Sequence, residues 1–455
     1  MPPTPPSGKR RSFSRARAVA KPRDRLLRAT TDAVAEHGYA GATIAEIIAR
    51  AGVSRASFYE HFSGKRECFL AVYDTILADY TGAIANAYGT SGDSVERAQA
   101  ALGALFGAAA SDPGALRVAM VEIASVGDAG IARRESLISG FEEFLRASLS
   151  LAPRPGTIPN PVLRAVVGGI SRILYTRVQS ARQDELLDLV PDLVKWASSY
   201  TSPPLMTNFR DPPPTRPNPS EGLWGGRAPG TLCRPSPRYD RASRLDRSEH
   251  GLSRNFLAHS QRELILDAVA NITAARGYAA LTLGAIAEEA GVSLSRCHQH
   301  FAGKEDAFIV AYEVGHSKAL AVVERASASE PDWRVGVRTG ISALFHFLAS
   351  EPSFAQMALV DALTATRRSA ARSYRGVEGY ARMLLPGLNR APKALTPPAV
   401  TLEAITGGIF ELCLSYALRG HIEALTELAP RASYFALAPF IGAEEAALIA
   451  TGVTR

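Results

Sequence analysis

Two stretches of the chain are variants of one sequence. Residues 38–65 read GYAGATIAEIIARAGVSRASFYEHFSGK, and residues 277–304 read GYAALTLGAIAEEAGVSLSRCHQHFAGK. Each residue of the second stretch lies 239 positions after its counterpart, and 13 of the 28 aligned positions are identical. Chance matches would scatter over many offsets, so a single shared offset indicates an internal repeat.

The same offset continues beyond these stretches. Ala104-Leu105-Phe106 is matched by Ala343-Leu344-Phe345, and Gly168-Gly169-Ile170 is matched by Gly407-Gly408-Ile409. The repeated element is much longer than the ~20–50 residues of a solenoid repeat, which favours a tandem duplication. We conclude that residues 20–202 and 255–455 are two copies of one sequence, called here the first and the second copy.

A proline-rich segment separates the copies. Ten of the 29 prolines lie between Pro203 and Pro237, in a stretch that is also rich in Arg, Gly and Ser. Such a composition buries too little apolar surface to offset the entropy lost on ordering, which predicts a flexible linker. A folded irregular loop is the alternative, although loops of this length are uncommon inside compact domains.

Length and composition restrict the class of protein. A chain of 455 residues exceeds the ~250–300 residues of one hydrophobic core, which predicts two to four domains. The content of 46% hydrophobic residues argues against global disorder, and 21% charged residues argue against a membrane protein. The longest nearly unbroken apolar stretch, residues 100–110, is shorter than the ~18–20 residues that cross a bilayer. No apolar segment follows the basic N-terminus, so we expect a cytoplasmic protein.

The local pattern is helical throughout. Apolar residues at helical spacing predict a helix over residues 25–37, which a glycine ends. Thr43 with Glu46 three residues later is a capping-box pattern, which predicts the start of a second helix. Gly52 ends that helix, and Ser54 is the expected N-cap of a third. Two short helices joined by a tight glycine-containing turn predict a helix-turn-helix.

The second helix of this motif has the size and polarity of a DNA-reading helix. Its outer face is predicted to be polar and aromatic, whereas Val53, Phe58 and Phe62 are predicted to be buried. Such a helix fits the major groove of DNA, which is ~12 Å wide. Lys65 and Thr43 begin the neighbouring helices, where a charge and free backbone N–H groups can hold a phosphate.

Residues 35–74 resemble the DNA-binding region of TetR-family transcriptional regulators. The resemblance rests on Gly38-Tyr39, Thr43, Ala51-Gly52-Val53-Ser54, Phe58-Tyr59, His61-Phe62, Lys65 and Tyr73. It implies an all-α repressor with a small N-terminal helix-turn-helix domain and a larger helical bundle for ligand binding and dimerisation. It does not extend into the larger bundle. The residues that we expect at the DNA are Thr43, Ser54, Arg55, Ala56, Ser57, Tyr59, His61 and Lys65.

The second copy departs from this pattern. It keeps the turn and His300-Phe301, but Cys297-His298 replaces Phe58-Tyr59, and Leu294 replaces Arg55. Either this copy reads a different base sequence, with Arg296 able to pair with a guanine edge, or it has lost tight binding. We favour altered readout because the turn residues and the lysine remain. The corresponding candidates are Thr282, Ser293, Ser295, Arg296, His298 and Lys304.

The N-terminus is strongly basic. Residues 1–28 hold nine basic residues against Asp24, a net charge of +8, whereas the whole chain carries +7. A solvated, disordered tail is one interpretation. The other is an arm that follows DNA phosphates or enters the minor groove beside the helix-turn-helix.

Two further expectations concern the larger helical parts. The resemblance implies a four-helix dimer interface, which by position would combine residues 161–181 and 184–200 with 399–419 and 421–440. Packing of these segments within one copy is the alternative. The resemblance also implies a small apolar effector that changes the separation of the reading helices. Apolar candidates for its site, each equally an ordinary core residue, are Phe106, Met120, Phe141, Phe345, Met357 and Tyr380.

No pattern typical of an enzyme stands out. The sequence has no recognisable Ser-His-Asp order, nucleotide-binding glycine loop or clustered carboxylate pair, so we expect neither catalysis nor a cofactor. The four cysteines lie far apart without a Cys-x-x-Cys pair, which argues against a disulfide framework and a zinc module. Cys297, His298 and His300 are weak metal candidates, since adjacent residues of a helix point about 100° apart. We therefore expect no metal site.

The sequence as a whole predicts a DNA-binding transcriptional regulator made of two TetR-like units. We hypothesise an intrachain pseudo-dimer, with a homodimer of chains as the alternative, and expect double-stranded DNA as the partner. A sensor or interaction protein that kept the fold and lost operator binding is the second hypothesis. The predicted domains are a disordered basic arm (1–20), a first helix-turn-helix domain (21–74), a first regulatory domain (75–202), a linker (203–254), a second, diverged helix-turn-helix domain (255–313) and a second regulatory domain (314–455).

Overall fold

The fold is all-α, as predicted. A computed structural model describes residues 21–89, 92–150, 158–180, 182–200, 254–393 and 395–452. These residues form α-helices, short 3₁₀ segments and one π-helix, and no β-strand occurs among them. The predicted arm (1–20) and linker residues 203–253 lie outside the described residues.

The first copy begins with the helices of the predicted helix-turn-helix domain and continues into longer helices. A 3₁₀ segment, Glu122–Val126, separates α6 from α7, and two more precede α9, whose first turn contains Pro191. The helices are α1 (Pro22–Gly41), α2 (Ile44–Ala51), α3 (Arg55–His61), α4 (Lys65–Tyr88), α5 (Ser94–Ser111), α6 (Pro113–Met120), α7 (Asp128–Ser150), α8 (Asn160–Gln179) and α9 (Val190–Ala197).

The second copy repeats this order. A π-helix, Met357–Asp361, corresponds to residues 118–122 of the first copy, where α6 ends and the 3₁₀ segment begins. Further 3₁₀ segments cover Gly379–Leu384 and Ile422–Leu428. The helices are α10 (Arg254–Arg276), α11 (Leu283–Glu289), α12 (Leu294–His300), α13 (Lys304–Ala328), α14 (Trp333–Ser350), α15 (Pro352–Gln356), α16 (Ala362–Thr364), α17 (Arg367–Glu378), α18 (Leu385–Arg390), α19 (Thr401–Leu418), α20 (Ala429–Ile441) and α21 (Ala443–Thr451).

Glycines with positive φ end corresponding helical stretches in both copies. Gly38 (φ 73°, ψ 166°) interrupts α1, and Gly277 (φ 74°, ψ 164°) follows the end of α10. A side chain is strained in this backbone region, which explains why both copies have glycine there. The duplication is therefore visible in backbone geometry as well as in sequence.

The compact units of the structure do not follow the sequence repeat. Among the described residues, one compact unit lies within 21–137 and 177–188, and the other lies within 138–176 and 189–452. The described parts of 138–176 and 189–200 in the first copy thus share a compact unit with the described residues of the second copy.

Within that larger unit, α8 of the first copy crosses α19 of the second copy through glycines. A Cβ added at Gly168 would lie 2.2 Å from the Cβ of Glu411, and one added at Gly407 would lie 2.4 Å from the Cβ of Arg172. These distances are too short for any other residue type without movement of the helices. The two contacts are reciprocal, because Gly407 and Glu411 are the counterparts, 239 positions on, of Gly168 and Arg172.

The second glycine of each pair makes an equally close and reciprocal contact. A Cβ at Gly169 would lie 2.5 Å from the carbonyl oxygen of Ala404 and 2.7 Å from the ring of Trp196. A Cβ at Gly408 would lie 2.4 Å from the carbonyl oxygen of Ala165 and 2.5 Å from the ring of Phe435, which corresponds to Trp196. Such two-fold repetition of contacts is typical of an isologous interface.

Aromatic side chains pack together beside this crossing. The ring of Tyr200 stacks on that of Phe435 with centroids 5.0 Å apart, and the Tyr200 hydroxyl donates to the Phe435 carbonyl at 3.1 Å. Trp196 meets Phe435 edge to face at 6.0 Å. All three side chains are buried, so α9 and the residue Tyr200 after it share one hydrophobic core with α20.

Two helices, Lys65–Tyr88 and Thr401–Leu418, are long and apolar enough by composition to cross a membrane. The second of them is α19, which is mostly buried in the core just described. The apolar composition of α19 therefore follows from its central place in a folded domain.

Corresponding buried carboxylates have different partners in the two copies. Glu122 accepts a hydrogen bond from the backbone N–H of Tyr39 at 2.8 Å, and its other oxygen lies 3.5 Å from Arg117 Nη2. Its counterpart Asp361 ends the π-helix, and one of its buried oxygens has no hydrogen-bond partner. Burial raises the pKa of Asp361 from 3.8 to about 8. The shorter side chain of Asp361 thus lies in the core without the partner that Glu122 has.

We expect Asp361→Asn to remove a pH dependence of stability. Between pH 3.8 and about 8 the folded chain keeps the Asp361 proton that the unfolded chain releases, so rising pH lowers the free energy of unfolding. The variant should be more stable than the unchanged protein above pH 8, and the difference should shrink towards pH 5. Urea unfolding across this range measures it, with exposed Asp188→Asn as the control. Parallel pH profiles for the Asp361 variant and the unchanged protein would contradict the assignment.

Candidate nucleic-acid interface

The turn between α2 and α3 is fixed by side-chain caps and one glycine. The Thr43 hydroxyl accepts from the Glu46 N–H at 3.2 Å, and the Ser54 hydroxyl accepts from the Ser57 N–H at 3.1 Å. Gly52 has left-handed backbone angles (φ 62°, ψ 41°), which only glycine adopts without cost. The helix-turn-helix prediction is confirmed in this geometry.

The capping box predicted at the start of α2 is only half formed. The carboxylate of Glu46 does not return to the Thr43 N–H; it lies 2.5 Å from Arg50 Nη2 and 3.0 Å from His37 Nε2. Arg50 also contacts the Glu36 carboxylate at 2.6 Å. Glu46 therefore pairs with Arg50, one helical turn away, and not with the backbone N–H of Thr43. The spacing of four residues between Glu46 and Arg50 is the sequence signal that predicts this ion pair.

Buried aromatic residues fix the orientation of α3. Phe58 is fully buried and Phe62 nearly so, with ring centroids 5.9 Å apart, as predicted. Val53 was predicted to be buried and is only half-buried, because it lies at the edge of the motif in the turn. Arg25 of α1 donates to the carbonyl of Gly52 at 3.3 Å, so α1 also supports the turn.

The predicted reading residues lie together on the exposed part of α3. Ser54, Arg55, Ala56, Tyr59 and His61 are exposed, and Ser57 is half-buried; Thr43 is exposed at the start of α2. Tyr59 keeps 46% of its surface accessible, and the Arg55 guanidinium carbon lies 5.8 Å from its ring centroid. Arg55 and Tyr59 therefore form one cation–π pair at the surface, which presents a charge, a hydroxyl and a flat ring.

The structure gives the Lys65 side chain a role that the sequence did not predict. Its ammonium donates to the carbonyls of Tyr39 at 2.8 Å and Ala42 at 2.9 Å, and lies 4.5 Å from the Tyr39 ring centroid. Partial burial lowers the pKa of Lys65. Two of its three N–H donors thus hold the α1–α2 connection, which leaves one donor and the backbone N–H groups of α4 for a phosphate.

The second copy preserves the scaffold of this motif. Thr282 and Ser293 cap α11 and α12 through the N–H groups of Ala285 (3.0 Å) and Arg296 (3.3 Å). Gly291 has a left-handed φ of 63°. The Lys304 ammonium lies 4.6 Å from the ring centroid of Tyr278. This repeats the lysine–tyrosine contact of the first copy, so Lys304 also supports the fold.

The exposed face of α12 has different chemistry. Ser293, Ser295, Arg296 and His298 are exposed, and Leu294, at the position of Arg55, keeps 47% of its surface accessible. Cys297 is fully buried at the position of Phe58, while His298 points to solvent. The two side chains therefore do not converge.

The two helix-turn-helix domains also differ in net charge. Residues 22–73 contain seven Lys and Arg against six Asp and Glu, a net charge of +1. The corresponding residues 261–312 contain four against six, a net charge of −2. The phosphate backbone dominates affinity for DNA, so the first domain has the more favourable charge for binding it.

The predicted effector residues do not form one group. Phe106, Phe345 and Met357 are fully buried core residues, whereas Met120 and Phe141 are half-buried. Tyr380 lines a cavity in the larger compact unit. The cavity contains neither Phe345 nor Met357, because both pack into the core beside it.

Comparison with known proteins identifies the repeated domain. The family of bacterial regulatory proteins called the tetR family matches the chain twice, at residues 26–72 and 265–309. The HTH-type transcriptional activator FasR of Mycolicibacterium smegmatis is 37% identical over 84 residues, which are 18% of this chain and 38% of that protein. The match thus spans less than half of the relative's length.

Several solved structures of regulatory proteins are similar to part of this chain. The fatty acid degradation regulator FadR from Bacillus halodurans is 17% identical, with a TM-score of 0.36, and covers 39% of this chain and 95% of its own. FadR from Bacillus subtilis, solved in complex with stearoyl-CoA, is 16% identical, with a TM-score of 0.36, and covers 38% and 96%. A TetR-like regulator from Rhodococcus sp. RHA1 is 19% identical, with a TM-score of 0.34, and covers 38% and 93%.

We expect Lys65→Met to lower the free energy of unfolding by about 1–3 kcal/mol, because two carbonyls lose a charged donor. Arg66→Met removes the neighbouring exposed charge and should change stability by less than about 0.5 kcal/mol. Urea unfolding of both variants makes the comparison. Equal losses in the two variants would show that the Lys65 contacts do not support the domain.

Proposed function

The chain belongs to the TetR family of bacterial regulatory proteins and carries their DNA-binding domain twice; we propose that it is a sequence-specific DNA-binding transcriptional regulator. The observation that carries this proposal is the exposed face of α3, where Arg55 and Tyr59 project from a helix held by Phe58 and Phe62. In this proposal the protein acts in the cytoplasm and catalyses no reaction. Repression is not assumed, since the M. smegmatis relative is named an activator.

The two reading helices are proposed to contribute unequally. The first domain supplies most of the affinity, since it has the arginine–tyrosine pair and a net charge of +1. The second domain, with a net charge of −2 and Leu294 exposed, reads a different base sequence through Arg296 and His298 and adds less affinity. The operator would then consist of two unlike half-sites.

A second candidate function applies to the second copy. It retains the caps, the left-handed glycine and the lysine–tyrosine contact, so its fold does not depend on DNA. Its exposed leucine and acidic balance favour an interaction or sensor domain that no longer binds an operator. The first domain would then be the sole reader.

We further propose that the copies pair within one polypeptide as a pseudo-dimer. The reciprocal glycine contacts of α8 and α19, together with the shared aromatic core, support this arrangement. Covalent linkage raises the effective concentration of the partner copy, so pairing does not depend on protein concentration.

Charge favours the pairing of unlike copies. Arg172 and Glu411 occupy equivalent positions and are both buried, and each lies against a glycine of the other copy. A first copy paired with another first copy would bring two buried arginines to this crossing, and two second copies would bring two buried glutamates. Buried like charges are strongly unfavourable, so the unlike pair is selected over both like pairs.

We expect Arg55→Ala with Tyr59→Ala to abolish specific DNA binding and to flatten its dependence on salt. The matched change in the second copy, Leu294→Ala with His298→Ala, should have a much smaller effect on affinity. Footprinting on DNA upstream of the gene, followed by titration at several salt concentrations, measures both. Unchanged binding by the first variant would refute the proposed reading face, and loss of binding only in the second would reverse the proposed ranking.

We expect Glu411→Arg to destabilise the protein by about 3–5 kcal/mol, because the crossing would then hold two buried arginines and lose the buried carboxylate. The exchange Arg172→Glu with Glu411→Arg should recover at least half of this loss. Urea unfolding gives the stabilities, and light scattering at nanomolar concentration should give the mass of one chain. An exchange no better than the single change, or an obligate dimer of chains, would contradict the intrachain pairing.

A further inference from the structure

The second copy has an open groove on the surface of its regulatory part. Its walls come from the C-terminal half of α13, the start of α14, the 3₁₀ segment Gly379–Leu384 and α18, all within the larger compact unit. The groove has a volume of about 440 Å³, which lies within the ~300–1,000 Å³ of binding clefts. It is therefore large enough to hold a short segment of polypeptide.

Rings and aliphatic side chains line much of this groove. They include Trp333, Tyr380, Pro331, Pro386, Leu320 and Met383. Grooves lined by aromatic side chains bind proline-rich segments, because a polyproline II helix is already extended and loses little entropy on docking. The lining thus favours a proline-rich occupant.

Trp333 is held firmly and keeps a hydrogen-bond donor for an occupant. Its ring meets that of Phe440 edge to face at 6.1 Å, and a Cβ added at Gly387 would lie 3.0 Å from its Cη2 atom. The side chain is half-buried, and its indole N–H donates to no described residue. A polyproline II segment has no internal hydrogen bonds, so its backbone carbonyls can accept from this N–H.

The groove also contains a carboxylate without an opposite charge. Glu330 is half-buried, and it makes no ion pair with any residue that the structure describes. Glu324, the other carboxylate of the groove, lies 3.4 Å from Arg382. An arginine beside the prolines of an occupant would give Glu330 a partner.

One segment of this chain has the matching chemistry. Residues 212–219 read PPPTRPNP, with five prolines and Arg216. They belong to the linker and lie outside the described residues. Pro214 and Pro217 are separated by three residues, which is one turn of a polyproline II helix, so both can meet the same wall. Arg216 lies between them and projects from another edge of such a helix.

The linker begins close enough to the groove for this segment to reach it. Tyr200, the last described residue before the linker, stacks on Phe435, and Phe440 of the same helix contacts Trp333. Five residues of helix rise by about 7.5 Å, which places Tyr200 within roughly 25 Å of Trp333. The chain from Tyr200 to Pro212 can span up to ~40 Å when extended.

From these observations we propose that residues 212–219 of the linker dock in this groove, with prolines on Trp333 and Tyr380 and Arg216 at Glu330. Docking fixes part of the linker on the second copy, so fewer residues connect the copies freely. A shorter free connection raises the effective concentration of one copy at the other. The proposed docking is independent of DNA binding.

The first copy lacks the residues that define the groove. Ser94 stands at the position of Trp333, Gly92 at that of Pro331 and Ser91 at that of Glu330. We therefore expect one docking groove per chain.

The basic arm is the competing occupant, because residues 2–6 read PPTPP. Its first cation, Lys9, comes three residues after its last proline, whereas Arg216 lies between two prolines. The linker segment therefore fits a groove in which Glu330 lies beside the rings better than the arm does.

The test uses the full chain with Pro212→Ala, Pro213→Ala, Pro214→Ala, Pro217→Ala and Pro219→Ala, called here the alanine-linker variant. A fluorescently labelled peptide of residues 209–221 is titrated with this variant and with the unchanged chain, and its anisotropy is measured. The peptide should bind the alanine-linker variant. It should bind the unchanged chain about tenfold more weakly or less, because the tethered segment competes at a high effective concentration.

A charge exchange tests the contact of Arg216 with Glu330. Adding Glu330→Arg to the alanine-linker variant should weaken peptide binding by about threefold or more. A peptide with Arg216→Glu should bind the alanine-linker variant poorly and recover on the Glu330→Arg form. Glu378→Arg, an exposed change on α17 outside the groove, should leave binding of the unchanged peptide unaltered.

Four results would overturn the proposal. They are no binding of the peptide to the alanine-linker variant, equal binding to this variant and to the unchanged chain, tighter binding of a peptide of residues 1–13 than of the linker peptide, and no effect of Glu330→Arg.

Discussion

The close approach of α8 and α19 is the constraint on which the larger compact unit depends. At Gly168, Gly169, Gly407 and Gly408 the neighbouring helix lies where a Cβ would be, so nothing larger than glycine fits without displacement. Glycine weakens a helix by about 0.5–1 kcal/mol relative to alanine, and four of them are kept at one crossing. The contact offsets this cost because it lets backbone meet backbone and brings Trp196, Tyr200 and Phe435 into one buried cluster.

The crossing also joins two copies whose side chains differ, which two identical chains could not provide. The backbone positions that shape each helix-turn-helix domain, such as Gly52 and Gly291, remain the same in both copies. Side chains that do not hold the backbone differ between the copies. Leu294 of α12 stands at the position of Arg55 of α3, and Glu411 stands at the position of Arg172 at the crossing. In a symmetric dimer each of these positions would have the same residue on both sides, whereas here each side is free to specialise.

Specialisation extends to the groups that could respond to a signal. Glu122 ties the regulatory part of the first copy to the start of its reading domain through the Tyr39 N–H, and its counterpart Asp361 has an unpaired oxygen. The second copy instead has a cavity whose wall continues into the core of its own reading domain. The two copies therefore offer different physical routes from a regulatory helix to a reading helix.

The sequence alone determined the duplication, the all-α fold, the helix-turn-helix and the exposed face of its second helix, because these depend on local spacing, caps and glycines that a single offset repeats. It also showed a Gly-Gly pair at the same position of each copy. Only the tertiary structure decided their partners, since Gly168 and Glu411 are 243 positions apart. The same holds for Lys65, whose ammonium turns to two carbonyls, and for Phe345 and Met357, which are core while Tyr380 faces a cavity. Those outcomes depend on which helices, distant in sequence, pack together. The spacing of residues along the chain does not specify these tertiary contacts.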